Sequence, residues 1–319
     1  MRESGSLFVR TFRTINKWIR MLNGKSILHV TQDIGKVYSK KEVNGYYNNL
    51  TEKVLNPAAL LDETGLVYNV TSDGKKVYFS IAIFQYGLGA YDLFILTGCP
   101  EYKEDFMRTV EWAWKNQEQN GAWDTFSIVG TRKPYSSMAQ GEGASLLVRA
   151  YKETGDEKYL KAAKQAVDFM CIPIAGGGCT QYLDDKLWFK EYIEKPVVLN
   201  GWIFSIWGLY DYYKASNVED YNKILTKAIQ TLEQELETFD CNYWSKYDME
   251  NTVASPFYHR LHIAQLKVMH ELFGCGIFLE YAKKWEKYQK NRLNCCKAFI
   301  IKAYQKITET KTERIIIIR

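Results

Sequence analysis

The sequence predicts a mainly α-helical protein: an incomplete (α/α) toroid of helical hairpins, preceded by a small N-terminal β-hairpin element. Three observations predict it. Apolar helical stretches recur at 85–98, 140–155, 200–216 and, more weakly, 262–274 of the 319 residues. Each ends in glycine or a small polar residue. Each is followed by an amphipathic stretch, at 102–117, 157–170, 218–236 and 278–290. Helix pairs repeating in this way must stack to bury their apolar faces. The first helix of each pair is apolar nearly all round, as an inner helix should be, and the second has a polar outer face. A solenoid is the alternative stacking.

Taken in order, residues 1–36 form a basic amphipathic N-terminal segment. Phe8, Phe12, Ile15, Ile19 and Leu22 recur at helical spacing against Arg10, Arg13, Lys17 and Arg20. Such a helix can dock on an anionic membrane surface or pack on its own domain, and both readings stay open. Residues 37–80 are β-rich. Here GLVYNV and KKVYFSI flank Thr71-Ser72-Asp73-Gly74, and Asp-Gly supplies the positive φ of a hairpin turn. Residues 81–290 carry the repeat, and 291–319 read as a basic C-terminal tail ending in IIIIR. Asn200-Gly201 marks the start of the third inner helix, with Asn200 as its expected cap.

Composition narrows the function. Aromatic residues make up 15%, with 23 Tyr and 9 Trp. Core packing accounts for such an excess, and so does a cleft in which sugar rings stack on aromatic faces. The net charge of +5 is compatible with an anionic substrate. No Lys/Arg cluster interleaves with the aromatics, so nucleic acid is not an expected partner. Seven Cys without metal spacing read as reduced thiols. The His259/His262 spacing is a weak metal signal, and no metal or cofactor is expected. No apolar run approaches a bilayer span, and charges interrupt every short apolar run near the N-terminus. A cytoplasmic location, peripheral at an inner membrane face, is therefore expected. A weak membrane-surface association and a homodimer are further expectations.

In a toroid of antiparallel pairs, every loop leading into an inner helix lies at one end. Those loops gather Tyr78, Tyr135, Tyr192, Tyr243, Tyr247 and Tyr258 with Glu191, Arg132, Arg260, His259, His262 and Gln140, and Trp188 and Asn200 stand in the same segments. A protonated phenol is a good donor to a developing carbanion. Tyrosines with a carboxylate and cations therefore suit abstraction of a proton next to a carboxyl group, such as C5–H of a uronic acid.

Six segments then carry a resemblance: FSIAIFQYGLGAYDL (79–93), NQEQNGAW (116–123), YSSMAQGEGASLLVRAY (135–151), WFKEYIEKPVVLNGWIFSIWGLYD (188–211), YWSKYD (243–248) and YHRLHIAQL (258–266). In this order they resemble the C-terminal helical catalytic region of the D-glucuronyl C5-epimerase family, over most of residues 77–290. The resemblance implies cofactor-free epimerisation of glucuronate to iduronate in a heparan-type polymer, so an acidic polysaccharide is the expected partner. It also implies catalytic residues at Glu191-Tyr192, at Tyr247-Asp248 and at Tyr258. On that reading Tyr192 and Tyr258 are proton donor/acceptor candidates, Glu191 assists or is the base, and Tyr247 is a third candidate or a positioning group. Arg260, His259 and His262 are carboxylate binders, Tyr135 and Gln140 shape the sugar subsite, and Arg132, Asn200, Tyr78 and Trp188 are further substrate contacts. The sequence departs from the family in the short region before the helices, where animal members have a long β-rich one. It departs again at Arg260-Leu261, where they have small residues. Three rivals are a uronic-acid polysaccharide lyase, a glycoside hydrolase pairing Glu191 with Glu142 or Asp124, and a non-catalytic glycan-binding protein.

Overall fold

The computed structural model describes residues 30–56 and 59–308; the expected N-terminal amphipathic helix lies outside them. Four helical hairpins dominate the described residues. Their inner helices are α2 (Ser80–Thr97), α4 (Ser137–Thr154), α6 (Leu199–Ser216) and α8 (Pro256–Phe273). Their outer helices are α3 (Pro100–Lys115), α5 (Glu157–Cys171), α7 (Glu219–Glu235) and α9 (Gly276–Lys290). Along the chain, α2 touches α4, α4 touches α6 and α6 touches α8, which makes the arc of an incomplete (α/α) toroid.

The two helix types follow from sequence. Outer helix α3 buries Phe106, Thr109, Val110 and Ala113, one stripe at helical spacing. Inner helix α6 buries every residue from Leu199 to Leu209, so only small or apolar side chains suit it. Gly141 and Gly208 let α4 and α6 cross closely: a Cβ on Gly208 would stand 2.2 Å from the carbonyl oxygen of Gly141. Each inner helix ends on a left-handed residue, Gly98, Gly155, Asn217 or Gly274, which turns the chain into the outer helix. Helix α2 is long and apolar enough to cross a membrane by length and composition, unlike the sequence expectation; most of it is buried in this core.

The predicted hairpin is present. Strands β2 (Val67–Val70) and β3 (Lys76–Val77) pair antiparallel, with Gly74 at φ +85°, and β1 (Leu60–Leu61) adds a third strand. Three elements differ from expectation. Residues 180–189, for which the sequence predicts no strand, form a second hairpin of β4 (Thr180–Leu183) and β5 (Lys186–Phe189). The tail contains α10 (Arg292–Thr308), which packs beside α9. Asn200 does not cap α6: the cap position is Val198, and Asn200 lies inside the first turn.

The segment before short helix α1 (Thr51–Leu55) seals the far end of the toroid. Tyr46 and Tyr47, 0% and 2% exposed, pack on Trp207 at the middle of α6. Beneath them Arg149 donates to Asp211 at 2.6 Å and to the carbonyls of Asn44 and Gly45 at 2.7 and 3.0 Å. The Tyr47 hydroxyl donates to Asp211 at 2.6 Å. Arg149 and Asp211 are both fully buried, and their polar atoms are matched here by specific partners.

Candidate active site

The open end is built by two loops that bind each other. The 190–198 loop leads into α6 and the 240–255 loop into α8. The Leu199 N–H donates to the Tyr247 carbonyl at 3.1 Å, the Met249 N–H to the Val197 carbonyl at 3.0 Å, and Val198 bridges to Asp248. This short backbone zipper brings Glu191-Tyr192 against Tyr247. Tyr258 joins them from the first turn of α8, where Ser255 caps the helix by accepting from the Tyr258 N–H.

Glu191, Tyr192, Tyr247 and Tyr258 form one cluster, each close enough to the next in that order to act on its ionisation. The Tyr247 and Tyr258 rings lie 4.7 Å apart. The three tyrosines are half-buried, and Glu191 is 5% exposed. Its carboxylate rests on Gly201, where a Cβ would fall 2.4 Å from Oε2. Burial pushes the Glu191 carboxyl up to about 7, against the opposing pull of the Tyr192 hydroxyl and Lys195. Burial, with Glu191 close by, also raises the Tyr247 and Tyr258 phenols, which keeps both protonated at neutral pH. The row extends outward: Phe126 stacks on Tyr192 at 4.5 Å, and Phe79 lies 6.1 Å from Phe126.

Deeper in the toroid, α4 holds Glu142, fully buried, with Gln85 of α2 donating to its Oε1 at 2.8 Å. Its Oε2 has no hydrogen-bond partner among the described residues. Burial raises this carboxyl to about 8, and Glu191 adds to the rise. A hydrolase pair of Glu191 with Glu142 would need both groups open to one glycosidic bond, whereas Glu142 is enclosed. Asp124 is exposed and accepts from the Ser127 N–H at 3.0 Å.

The other sequence-predicted residues divide. His259 and His262 are buried beneath the site. The His259 ring stacks on Trp244 at 3.6 Å, its Nδ1 meets Ser245 and its Nε2 meets the Trp285 carbonyl at 3.1 Å. His262 Nδ1 shares the Ser245 hydroxyl at 3.0 Å. Burial lowers His259 to about 3 and also lowers His262 well below the ordinary imidazole value, so both are neutral and bind the 240–255 loop to α8. They carry no charge to offer a carboxylate.

Gln140 is likewise committed. It donates to the Gly121 and Ala166 carbonyls and accepts from the Trp123 N–H, all within the interior. Arg260, half-buried, stands about 200° round α8 from Tyr258 by helical spacing, so it does not share the tyrosine face. The Tyr135 hydroxyl donates to Glu118 at 2.8 Å with its ring against Phe169, and the Tyr78 hydroxyl donates to Asp62 at 2.6 Å on the small sheet. Arg132 is exposed in the 130–134 loop. Trp188 lines a groove of about 810 Å³ between β5 and α7, with Lys186, Lys227 and Gln230, away from the tyrosines. Asn200 stays near Glu191: its carbonyl oxygen accepts from Gln265 at 3.3 Å, and its Oδ1 has no partner among the described residues.

Sequence reasoning did not single out Lys195. Its ammonium lies 4.7 Å from the Tyr192 ring centroid, and the residue is exposed. Its place four residues after Glu191 in the same loop was the available signal. Phe126 carried no distinguishing signal at all.

A family model described as D-glucuronyl C5-epimerase C-terminus matches residues 117–287. A D-glucuronyl C5-epimerase of Caenorhabditis elegans is 27% identical over 217 residues, which is 59% of this chain and 35% of that protein. An uncharacterised protein of Methanocaldococcus jannaschii is 29% identical over 157 residues, 47% of this chain and 51% of that one. The chain thus spans between about a third and a half of the length of these relatives. Among solved structures, the unsaturated glucuronyl hydrolase of Bacillus sp. GL1 superposes with a TM-score of 0.46 at 13% identity, covering 65% of this chain and 61% of that one.

Proposed function

The chain belongs to the D-glucuronyl C5-epimerase family, and on that premise we propose that it inverts C5 of D-glucuronate residues to L-iduronate in a heparosan-type glycosaminoglycan or capsular polysaccharide. The observation that carries the reading is the cluster of Glu191, Tyr192, Tyr247 and Tyr258 that the loop zipper assembles, with the Tyr247 and Tyr258 rings 4.7 Å apart, a carboxyl poised near neutrality at one end and protonated phenols at the other.

In the proposed reaction, Glu191 acting through Tyr192 removes the C5 proton from one ring face. The electron pair moves into the substrate carboxylate as an enolate-like intermediate. Tyr258 delivers its own proton to C5 from the opposite face. The Tyr258 phenolate then regains a proton along Tyr247 and Tyr192 from Glu191, and the site is reset. Lys195, at the rim of the same row, neutralises the substrate carboxylate and the charge that grows on it. Glu191 near 7 fits a base at neutral pH, so the rate rises with pH through about 7.

The test is incubation with non-sulfated glucuronate–glucosamine polymer in D₂O, followed by NMR. Deuterium at C5 with iduronate signals is the expected result. Tyr258→Phe should lower inversion by about 100-fold or more while C5 exchange on one face persists. An unsaturated product absorbing in the ultraviolet would establish a lyase instead. No exchange in well-folded protein would overturn the reading for this polymer.

A further inference from the structure

Helix α10 has two working sides. Its inner side closes over the loop that carries Tyr247. Ala298 is 3% exposed and packs with Trp244, Val253 and Ala254. The Gln305 side chain accepts from the Val253 N–H at 3.0 Å and donates to the Asn251 carbonyl at 2.6 Å. Its outer side carries Leu293, Ile300 and Tyr304, which are 79%, 66% and 66% exposed. Steps of seven and four residues align these three in one stripe on the helix, and exposed Cys296 falls beside it.

Charge selects what covers that stripe. Residues 281–306 contain eight Lys and Arg against one carboxylate, Glu286, and Asp240 from the preceding loop pairs with one of the eight, Lys284. Glu286 is occupied by Lys267 at 2.6 Å. Arg292, Lys297 and Lys306 are exposed on α10 itself. A second copy of the chain would bring the same positive field against this one. A glucuronate polymer would match the charge but offers no hydrocarbon to take up Leu293 and Ile300. A bilayer with anionic headgroups matches both.

We propose that α10 docks the protein on an anionic membrane surface. Leu293, Ile300 and Tyr304 enter the boundary between headgroups and acyl chains, and the surrounding Lys and Arg side chains meet lipid phosphates. The same helix clamps the 240–255 loop, so docking holds the open end of the toroid beside the membrane.

The test is co-sedimentation of the full chain with vesicles of phosphatidylcholine, alone or mixed with phosphatidylglycerol. Binding is expected to the mixed vesicles and to weaken with salt. The variant Leu293→Ser/Ile300→Ser/Tyr304→Ser should lose about tenfold or more of that binding, with an unchanged Tm because all three side chains are exposed. Phe8→Ser/Phe12→Ser should retain it. Absence of binding by the unsubstituted chain, or equal binding by the α10 variant, would overturn the proposal. So would a loss confined to soluble glucuronate polymer, which would make this a glycan surface. An environment-sensitive dye on Cys296, in a Cys99→Ser background, gives a second reading that needs no apolar substitution. A blue shift on the mixed vesicles supports docking through α10, and an unmoved spectrum overturns it.

Discussion

At the scale of single residues, three buried carboxyls retain protons that an unfolded chain would release. Burial raises Glu142 to about 8, and Glu191 and Asp92 to about 7. The unfolded chain loses those protons near pH 4, so the native state binds more protons across the interval and stability falls as pH rises through it. His259 and His262 act in the opposite sense, because their folded pKa lies below the unfolded value; their cost appears only as pH drops below about 6.5. Between pH 6.5 and 8 the carboxyls dominate. Tm should therefore decline across that window, and Glu142→Gln should flatten the decline, as measured by calorimetry at matched ionic strength. Lys195→Ala should raise KM for the polymer and lower kcat, each several-fold, since the residue is exposed at the rim and is proposed to meet both the substrate carboxylate and the charge that grows on it. The reading from sequence fared unevenly at this scale. Glu191, Tyr192, Tyr247 and Tyr258 could be grouped because they stand in short polar segments preceding inner helices. His259, His262 and Gln140 stand in the same segments, yet they turn inward. Residue type and position do not reveal which way a side chain faces at a helix start, so polar groups that tie loops to helices look the same as groups that meet a ligand.

At the scale of elements, the crossing of α4 and α6 depends on the absence of side chains at Gly141 and Gly208. Gly208→Ala would drive a methyl into the Gly141 backbone, which cannot yield as a flexible side chain could. Overpacking of this kind costs about 1–3 kcal/mol or more, and urea unfolding should show it as a lower midpoint with an unchanged slope. The hairpins themselves were legible because their signals are redundant: apolar period, glycine or asparagine terminators and amphipathic partners agree over some 200 residues. Strands β4 and β5 were not. Four-residue strands in a segment of mixed aromatic and charged residues have too little alternation to be told from loop. Helix α10 was missed for another reason. It stands after the last repeat, so the periodicity that identified the other helices has no claim on it, and its inner face of Cys295, Ala298 and Ile301 is short.

At the scale of the whole molecule, the arc and its two ends were predictable from the order of helices alone, and what fills each end was not. The far end is closed by residues from a segment that sequence analysis read only as β-rich. Arg149 and Asp211 fix them there, and Arg149→Met would leave Asp211 charged or protonated in the interior at a cost of about 3–5 kcal/mol. Thermal unfolding should register that loss as a large fall in Tm. The seal also governs traffic. With Tyr46, Tyr47 and Leu50 filling that end, no strand of sugars can be threaded along the axis like a cord through a ring. On the proposed function, a polymer would arrive and depart on one side, lying across the rim as a bow lies on a string. Such a geometry has no use for chain termini. Polymers whose two ends are chemically blocked should be converted as fast, per uronate residue, as open ones, and modified residues should appear from the outset in the middle of long chains.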